Sequence, residues 1–435
     1  MRLKWVGLFV VAVGTFLAGG WLLRRGLATM GSGEAAAGSS APSMSPTRLF
    51  SAVLETVRGY AVDSLDESGV YRLATSGVLG ELPDPYAALV SAADTAQSDR
   101  IGARPAQGVY LDRVEDFVEV VAVAPGSPAA AAGIRPGDAV VRVAETTVEN
   151  RRPEELIRLI DGDSGTSVRI RLGREGQSAP LWVTIARGPV PALPGPTSAG
   201  DGSIVQVRIR QIDQASVAML RAVVDSAVIA RGRGVVIDLR GVVEGSLADA
   251  VAMADGLLDQ GELIVTVRGR SGTDSVRFRD QSPTTTGTVP LVVLVDRATA
   301  GAAEVVAAAL QDHDRAAIVG ETTFGRGARQ SYFPLANGSI LRLTTALWIT
   351  PSGRTLQRFR LPATTDAPTD SVPPRPRFKT DAGRTILGGG GVVPDREVVV
   401  GVEPSRVSDP ALELARRLLS GAKTRQALIA ALDPS

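Results

Sequence analysis

The chain contains no cysteine, which excludes disulfides, thiolate metal sites, a cysteine nucleophile and lipidation of an N-terminal cysteine. Its one histidine, His313, excludes a histidine-rich metal centre. No cofactor is expected. Lysine occurs only at Lys4, Lys379 and Lys423, and the rest of the 47 basic residues are arginine. Charge of one sign is also missing: 47 basic residues face 46 acidic ones, so no electrostatic footprint for nucleic acid exists. At 435 residues more than one domain is expected, because single cores rarely grow past ~250 residues.

Residues 5–23 carry no charge and lie between Lys4 and Arg24. As a helix they rise about 28 Å at ~1.5 Å each, close to the hydrocarbon thickness of a bilayer. The expectation is a transmembrane signal anchor over 1–25. A cleaved signal peptide usually has a shorter apolar core, about 7–15 residues, ending at a small-residue site. Either reading exports the remainder, so the bulk of the chain is expected outside the cytoplasm, in the periplasm, on a single-pass anchor. Residues 26–46, rich in Gly, Ser and Ala, read as a flexible tether.

Segment 47–104 is expected to be helical. Leu49, Val53, Val57 and Tyr60 recur at helical spacing, Ser64 or Asp66 is placed to cap a second helix, and 82–90 reads as a turn and short helix. No strand is expected before residue 100. Strand signals then dominate 105–188, with turns at Pro125-Gly-Ser-Pro128 and Arg135-Pro-Gly-Asp138 and a helix at 153–160. Strands at 204–209, 234–239, 263–267, 291–295, 316–319 and 341–349 alternate with helices at 214–230, 247–257 and 300–311, the pattern of an α/β sheet with covering helices. Residues 362–376 form a Pro- and Thr-rich loop, and 406–435 hold a last helical segment around 409–419.

Several motifs carry a resemblance to a known family. They are Leu291 to Gln330, containing Val295-Asp-Arg-Ala-Thr-Ala-Gly301 and Phe324-Gly-Arg-Gly327, then Val235-Val-Ile-Asp-Leu-Arg240 and Gly388-Gly-Gly-Gly-Val-Val-Pro-Asp395. Together they resemble the carboxyl-terminal processing peptidases, or tail-specific proteases. Gly126-Ser-Pro128 and Gly133-Ile-Arg-Pro-Gly-Asp138 resemble the turns of a PDZ domain. The resemblance implies a multidomain α/β chain: a PDZ domain at 105–188 and a crotonase-like tail-specific protease core at 189–405. It also implies serine endopeptidase chemistry from a serine nucleophile and a lysine base.

Aligned on these motifs, the serine position is Gly301, the lysine position is Arg326 and the family's supporting glutamine is Gln330. Glycine has no nucleophile, and arginine stays protonated at any working pH. The family's Gly-Gly turn near the oxyanion hole reads Glu244-Gly245 here, so Gly245 matches and a carboxylate replaces its partner. The expectation is a catalytically inactive pseudopeptidase that binds or scaffolds protein tails. Two alternatives stay open: a working endopeptidase with an altered dyad (Thr299 the first suspect) or a partner-completed site, and a structural envelope protein. Arg326 could instead pair with a peptide carboxylate or with Glu304.

The family's PDZ domains bind an extended peptide at a strand edge and hold its terminal carboxylate on a short loop. By position that loop is Ala106-Gln107-Gly108-Val109, and Leu156 and Ile160 would face an apolar C-terminal side chain. The implied partners are C-terminal tails of exported or misfolded proteins, with another protease or a second copy of the chain as further candidates.

Overall fold

The computed structural model describes residues 45–432 except 63–64, 83, 85, 92–105, 115–116, 149–150, 194, 201–202, 272–273, 284–288, 337, 359–374 and 399–408. The expected membrane anchor, nearly all of the tether, and most of the Pro- and Thr-rich loop lie outside the described residues. Among the described residues no helix is long and apolar enough to cross a membrane.

Two compact units divide at residue 74. The first holds α1 (Pro46–Tyr60), capped by Ser45. Its apolar stripe of Leu49, Val53, Val57 and Tyr60 is exposed. A second helix, α2 (Glu67–Gly80), begins in this unit. The Asp66 carboxylate accepts the Gly69 N–H at 2.9 Å, so Asp66 caps this helix; Ser64 lies outside the described residues.

The second unit contains both expected domains. A strand, β1 (Ala88–Ser91), appears where a short helix was expected. Tertiary pairing overrides the local pattern here: β1 lies antiparallel against residues 339–342 and buries Ala88 and Val90.

The β-rich domain is a sheet ordered β2 (Val109–Val114), β3 (Phe117–Val123), β4 (Ala139–Val143), β6 (Ser167–Gly173), β7 (Leu181–Ala186), with β5 (Thr146–Thr147) on β4. The short helix α3 (Pro128–Ala131) and α4 (Pro153–Ile160) accompany it. Alternation along the strands sends Val109, Leu111, Val118, Val120, Val168 and Ile170 into one core with Leu156 and Ile160. The buried Asp138 of the second turn explains that motif. It accepts the Arg135 N–H at 2.8 Å and two Arg174 donors at 2.7 and 2.8 Å.

The α/β core begins with β8 (Thr197–Gly200) and β9 (Ile204–Arg208). Helix α5 (Gln214–Ile229) leads to β10 (Gly234–Asp238), and α6 (Leu247–Ala254) follows. Strands β11 (Leu263–Gly269) and β12 (Val276–Arg279) precede β13 (Leu291–Val295), α7 (Ala302–Asp312) and β14 (Ala316–Gly320). After these come β15 (Ala328–Pro334), β16 (Ser339–Ile349), β17 (Arg377–Lys379), β18 (Thr385–Leu387), β19 (Arg396–Glu397), α8 (Pro410–Gly421) and α9 (Arg425–Ala430).

The central sheet is ordered β19-β14-β13-β10-β9-β8, parallel except where β8 meets β9. Every residue of β10, β13 and β14 is buried, as expected for parallel strands covered on both faces. Odd and even positions serve different layers. Val235, Ile237, Leu291, Val293 and Ile318 pack with α5, α6 and α7. Val236, Val292, Leu294, Ala317 and Val319 pack with α8 and α9. At about 1.5–3 kcal/mol for each large apolar side chain buried, these two layers dominate the stability of the core.

A second sheet runs along the long strand β16, with β15 on one edge and β1 and β11 sharing the other. The polar strand β15, which the sequence pattern does not announce, owes its existence to that pairing.

Candidate active-site region

The turn from β13 into α7 carries Gly301. It caps α7 at φ 63°, ψ −116°, a conformation glycine adopts at little cost and other residues rarely. A Cβ built there would meet no atom within 4 Å. The position therefore opens into space at a helix N-terminus, where free N–H groups and the helix dipole favour negative charge.

Glu304, one turn later and fully buried, ties the region together. One carboxylate oxygen accepts the N–H groups of Gly301 (2.9 Å) and Arg326 (2.8 Å). The other accepts the Gly325 N–H (2.7 Å) and the Thr323 hydroxyl. Burial pushes the Glu304 carboxyl above its usual range, and these four hydrogen bonds oppose the shift. A single side chain thus holds the 301 turn against the 323–326 loop. The Phe324 N–H donates to the Thr299 carbonyl at 3.0 Å and completes the link.

The loop after β10 closes a third side. Ala300 N–H donates to the Val242 carbonyl at 2.9 Å, and a Cβ on Gly245 would sit 3.0 Å from the Cβ of Ala302. Gly245 therefore lies against the first residue of α7. The Glu244 carboxylate accepts the Tyr110 hydroxyl from β2. The Asp238-Leu-Arg240 motif braces this loop from below. Buried Asp238 takes the Arg240 Nε at 2.9 Å and Nη2 at 2.8 Å, and Arg240 continues to the α8 cap Asp409 at 2.7 and 3.0 Å.

Arg326 does not bond Glu304 with its side chain. Its Nε and Nη2 donate to one oxygen of Asp112, on β2, at 2.9 and 2.5 Å. Burial works against the guanidinium's charge, but the Asp112 carboxylate outweighs it and holds Arg326 protonated above even the usual arginine range. The Tyr86 hydroxyl lies 3.5 Å from the same oxygen. Burial, then the Asp112 charge, raises the Tyr86 pKa, so this phenol stays neutral. Asp112, Tyr86 and Tyr110 were not singled out in the sequence. The signal for Asp112 was a lone acid within Val109-Tyr-Leu-Asp-Arg-Val114.

Other positions fall as follows. Gln330 lies half-buried on β15 opposite Thr344, beside a register shift. Thr299 is fully buried; its hydroxyl lies 3.1 Å from the Leu239 carbonyl and 3.0 Å from an Asp296 carboxylate oxygen, and accepts the Asp296 N–H at 3.0 Å. It is committed to the turn. His313 caps the far end of α7, and Lys379 donates within its own ribbon to Gly383 and Thr385.

In the β-rich domain, 106–108 form a short turn, kinked at Gln107, that enters β2. Gln107 has φ 61°, and its side-chain oxygen accepts the Gly188 N–H at 3.0 Å. Gly108 has φ 76°, and a Cβ there would lie 2.3 Å from the Cβ of Ser127. Val109, Leu156 and Ile160 are at most 1% exposed and belong to the domain core, rather than lining an open wall. β2 is an end strand of its sheet.

Comparisons with known proteins bear on the family and the domains. The peptidase family S41 profile matches residues 203–364 and a PDZ domain profile matches 119–174. A carboxy-terminal-processing protease of Bartonella bacilliformis is 31% identical over 314 residues, covering 71% of this chain and 72% of that protein. This chain belongs to the carboxy-terminal-processing peptidase family. The carboxy-terminal processing protease CtpA of Bacillus subtilis is 29% identical over 306 residues, 70% of this chain and 65% of that protein. Among solved structures, a photosystem II D1 C-terminal processing protease aligns with a TM-score of 0.62 at 24% identity, over 86% of this chain and 92% of that one; this likeness concerns the fold alone. A multidomain α/β chain with a PDZ domain and an S41 core is thus in place. Against the family pattern, the turn opening α7 carries Gly301 where the nucleophile is expected, and the 323–326 loop carries Arg326 where the base is expected.

Proposed function

We propose that this chain is a membrane-anchored, extracytoplasmic member of the family that binds protein C-terminal tails and has lost hydrolysis. The observation that carries the reading is the pairing of Arg326 with Asp112. A serine–lysine mechanism needs a neutral amine beside a hydroxyl. Here the base position holds a cation locked to a carboxylate, and the nucleophile position has no side chain. Glu244 adds a carboxylate beside the region where an oxyanion would form. The committed hydroxyl of Thr299 speaks against its acting as a substitute.

Tail binding is supported by the PDZ match and by the position of β2 at the end of its sheet, where a peptide can add as a further strand. The loop 106–109 and α4 with Leu156 and Ile160 frame that edge; for the two buried side chains to take up an apolar C-terminal residue, α4 must move outward. The anchor and the periplasmic location rest on the uncharged run 5–23. Homo-oligomerisation and partnership with another protease belong to the same proposal.

The test is fluorescence anisotropy with a labelled peptide ending in an apolar residue, as free acid and as amide. The free acid is expected to bind at least about tenfold more tightly, since the amide removes the charge that backbone N–H groups would hold. Equal affinity of the two, or no binding of either, would sink tail recognition and leave the structural envelope reading.

A further inference from the structure

We infer that Arg326 and Glu244, which occupy the base position and the oxyanion-side position of the family, act here as positioning residues for the peptide-binding strand of the PDZ domain. The inference rests on the tail-binding reading above.

β2 divides its side chains between two bodies. Val109 and Leu111 enter the PDZ core. Tyr110 and Asp112 point the other way and are buried, at 8% and 5% exposure. Tyr110 joins Val121, Ala122, Ala124, Ala298, Ala300 and Phe324 in an apolar cluster that spans the two domains. Its hydroxyl ends on Glu244. Two residues on, Asp112 ends on Arg326. The strand is thus held at two successive outward positions by two of the three residues that depart from the catalytic pattern.

β2 needs such support. It pairs with β3 on one side only, and its register with β3 shifts between Tyr110 and Leu111. The unopposed residue, Val121, lies on β3, and such a bulge locally disrupts the one ladder that holds β2. The two posts straddle the bulge. Any peptide adding to the open edge takes its register from the backbone of β2, so the posts fix the template the peptide reads.

The Arg326 post is itself rigid. Its backbone N–H is held by Glu304, and its guanidinium lies 5.5 Å from the centre of the Phe324 ring. Arginine suits this role better than lysine, because its planar fork places two donors on one carboxylate where an ammonium offers a point charge.

The experiment uses the full chain and two readouts. One is the affinity for a labelled peptide with a free apolar C-terminus; the other is hydrogen exchange of the amides of 109–114. Arg326→Gln and Asp112→Asn are each expected to weaken peptide binding about tenfold, the size of one lost charge-assisted pair, and to speed exchange in β2. The slow amides of β10 and β13 should stay protected, which shows that the core remains folded. The double variant should be no worse than either single one, and Arg326→Lys should recover part of the affinity. Unchanged affinity and unchanged exchange, or losses that simply add in the double variant, overturn the inference. If the native chain binds no peptide, the tail-binding reading fails on that result. The exchange of β2 in Arg326→Gln then decides anchoring by itself: faster exchange upholds the posts, and unchanged exchange removes them.

Discussion

Arg326 and Asp112 stand 214 residues apart in sequence and meet through two hydrogen bonds, 2.9 and 2.5 Å, onto one carboxylate oxygen. The contact joins the S41 core to the PDZ strand β2. It also determines what a restored lysine would experience. A carboxylate at this distance favours the protonated amine. Gly301→Ser with Arg326→Lys is therefore expected to cleave an unstructured peptide slowly at neutral pH, with the rate rising toward alkaline pH. Adding Asp112→Asn should move that rise to lower pH. Overlapping pH–rate profiles with and without Asp112→Asn would contradict the coupling.

Glu304 accepts four hydrogen bonds, two on each oxygen. Glutamine offers one oxygen and one NH2 group. With the NH2 toward Gly325 and Thr323, the hydroxyl can turn to accept and only the Gly325 N–H is left facing a donor. At ~1–3 kcal/mol for a buried donor left without an acceptor, Glu304→Gln should cost about 1–3 kcal/mol in urea unfolding. A loss within experimental error of zero would mean that the network is not formed in solution.

Gly301 and Gly108 both have positive φ, but their surroundings differ. Open space surrounds a Cβ at 301, whereas one at 108 would press on Ser127. Gly301→Ala should cost about 1–3 kcal/mol from backbone strain alone. Gly108→Ala should cost more, about 2–4 kcal/mol, because crowding adds to strain. Thermal unfolding of the two variants side by side reads the difference. A consequence for binding work is that Gly108 substitution disturbs the PDZ fold as well as any peptide site.

The single histidine gives a pH signature. His313 Nδ1 lies 2.7 Å from Asp381 and 3.6 Å from Glu262, and Nε2 lies 2.8 Å from the Leu263 carbonyl. Burial disfavours the imidazolium, but these partners outweigh it and raise the folded-state pKa. A raised pKa means that the contribution is fully present below the unfolded value near ~6.5 and is lost as pH rises through the folded value. Stability should fall across that alkaline-side window, and His313→Gln should flatten the fall. A native stability that rises over the same window would contradict this assignment.

The parallel sheet was legible because its strands are short apolar runs separated by helical patterns, and residues 291–295 were delimited to the residue. β1 and β15 were not legible. Ala88–Ser91 and Ala328–Pro334 carry little strand signal of their own and exist because β16 offers them an edge. At the site, the departures at Gly301, Arg326 and Glu244 could be read from motif alignment. Their partners could not, since Asp112 and Tyr110 come from another domain and reach the site only through the alternation of β2. Glu304 was visible as a candidate partner of the Arg326 side chain; its fourfold role depends on a loop nineteen to twenty-two residues downstream folding back onto it. Leu156 and Ile160 had the spacing of a groove wall, but the same spacing serves a core, and both side chains are buried in the domain core.

The most direct measurement is hydrolysis of an unstructured substrate with an apolar C-terminus by the native full chain, beside Gly301→Ala and the triple variant Gly301→Ser, Arg326→Lys, Asp112→Asn. The account predicts no cleavage above the buffer blank for the native chain or Gly301→Ala, and measurable cleavage by the triple variant. Cleavage by the native chain that Gly301→Ala leaves unchanged would contradict it and place a working nucleophile elsewhere.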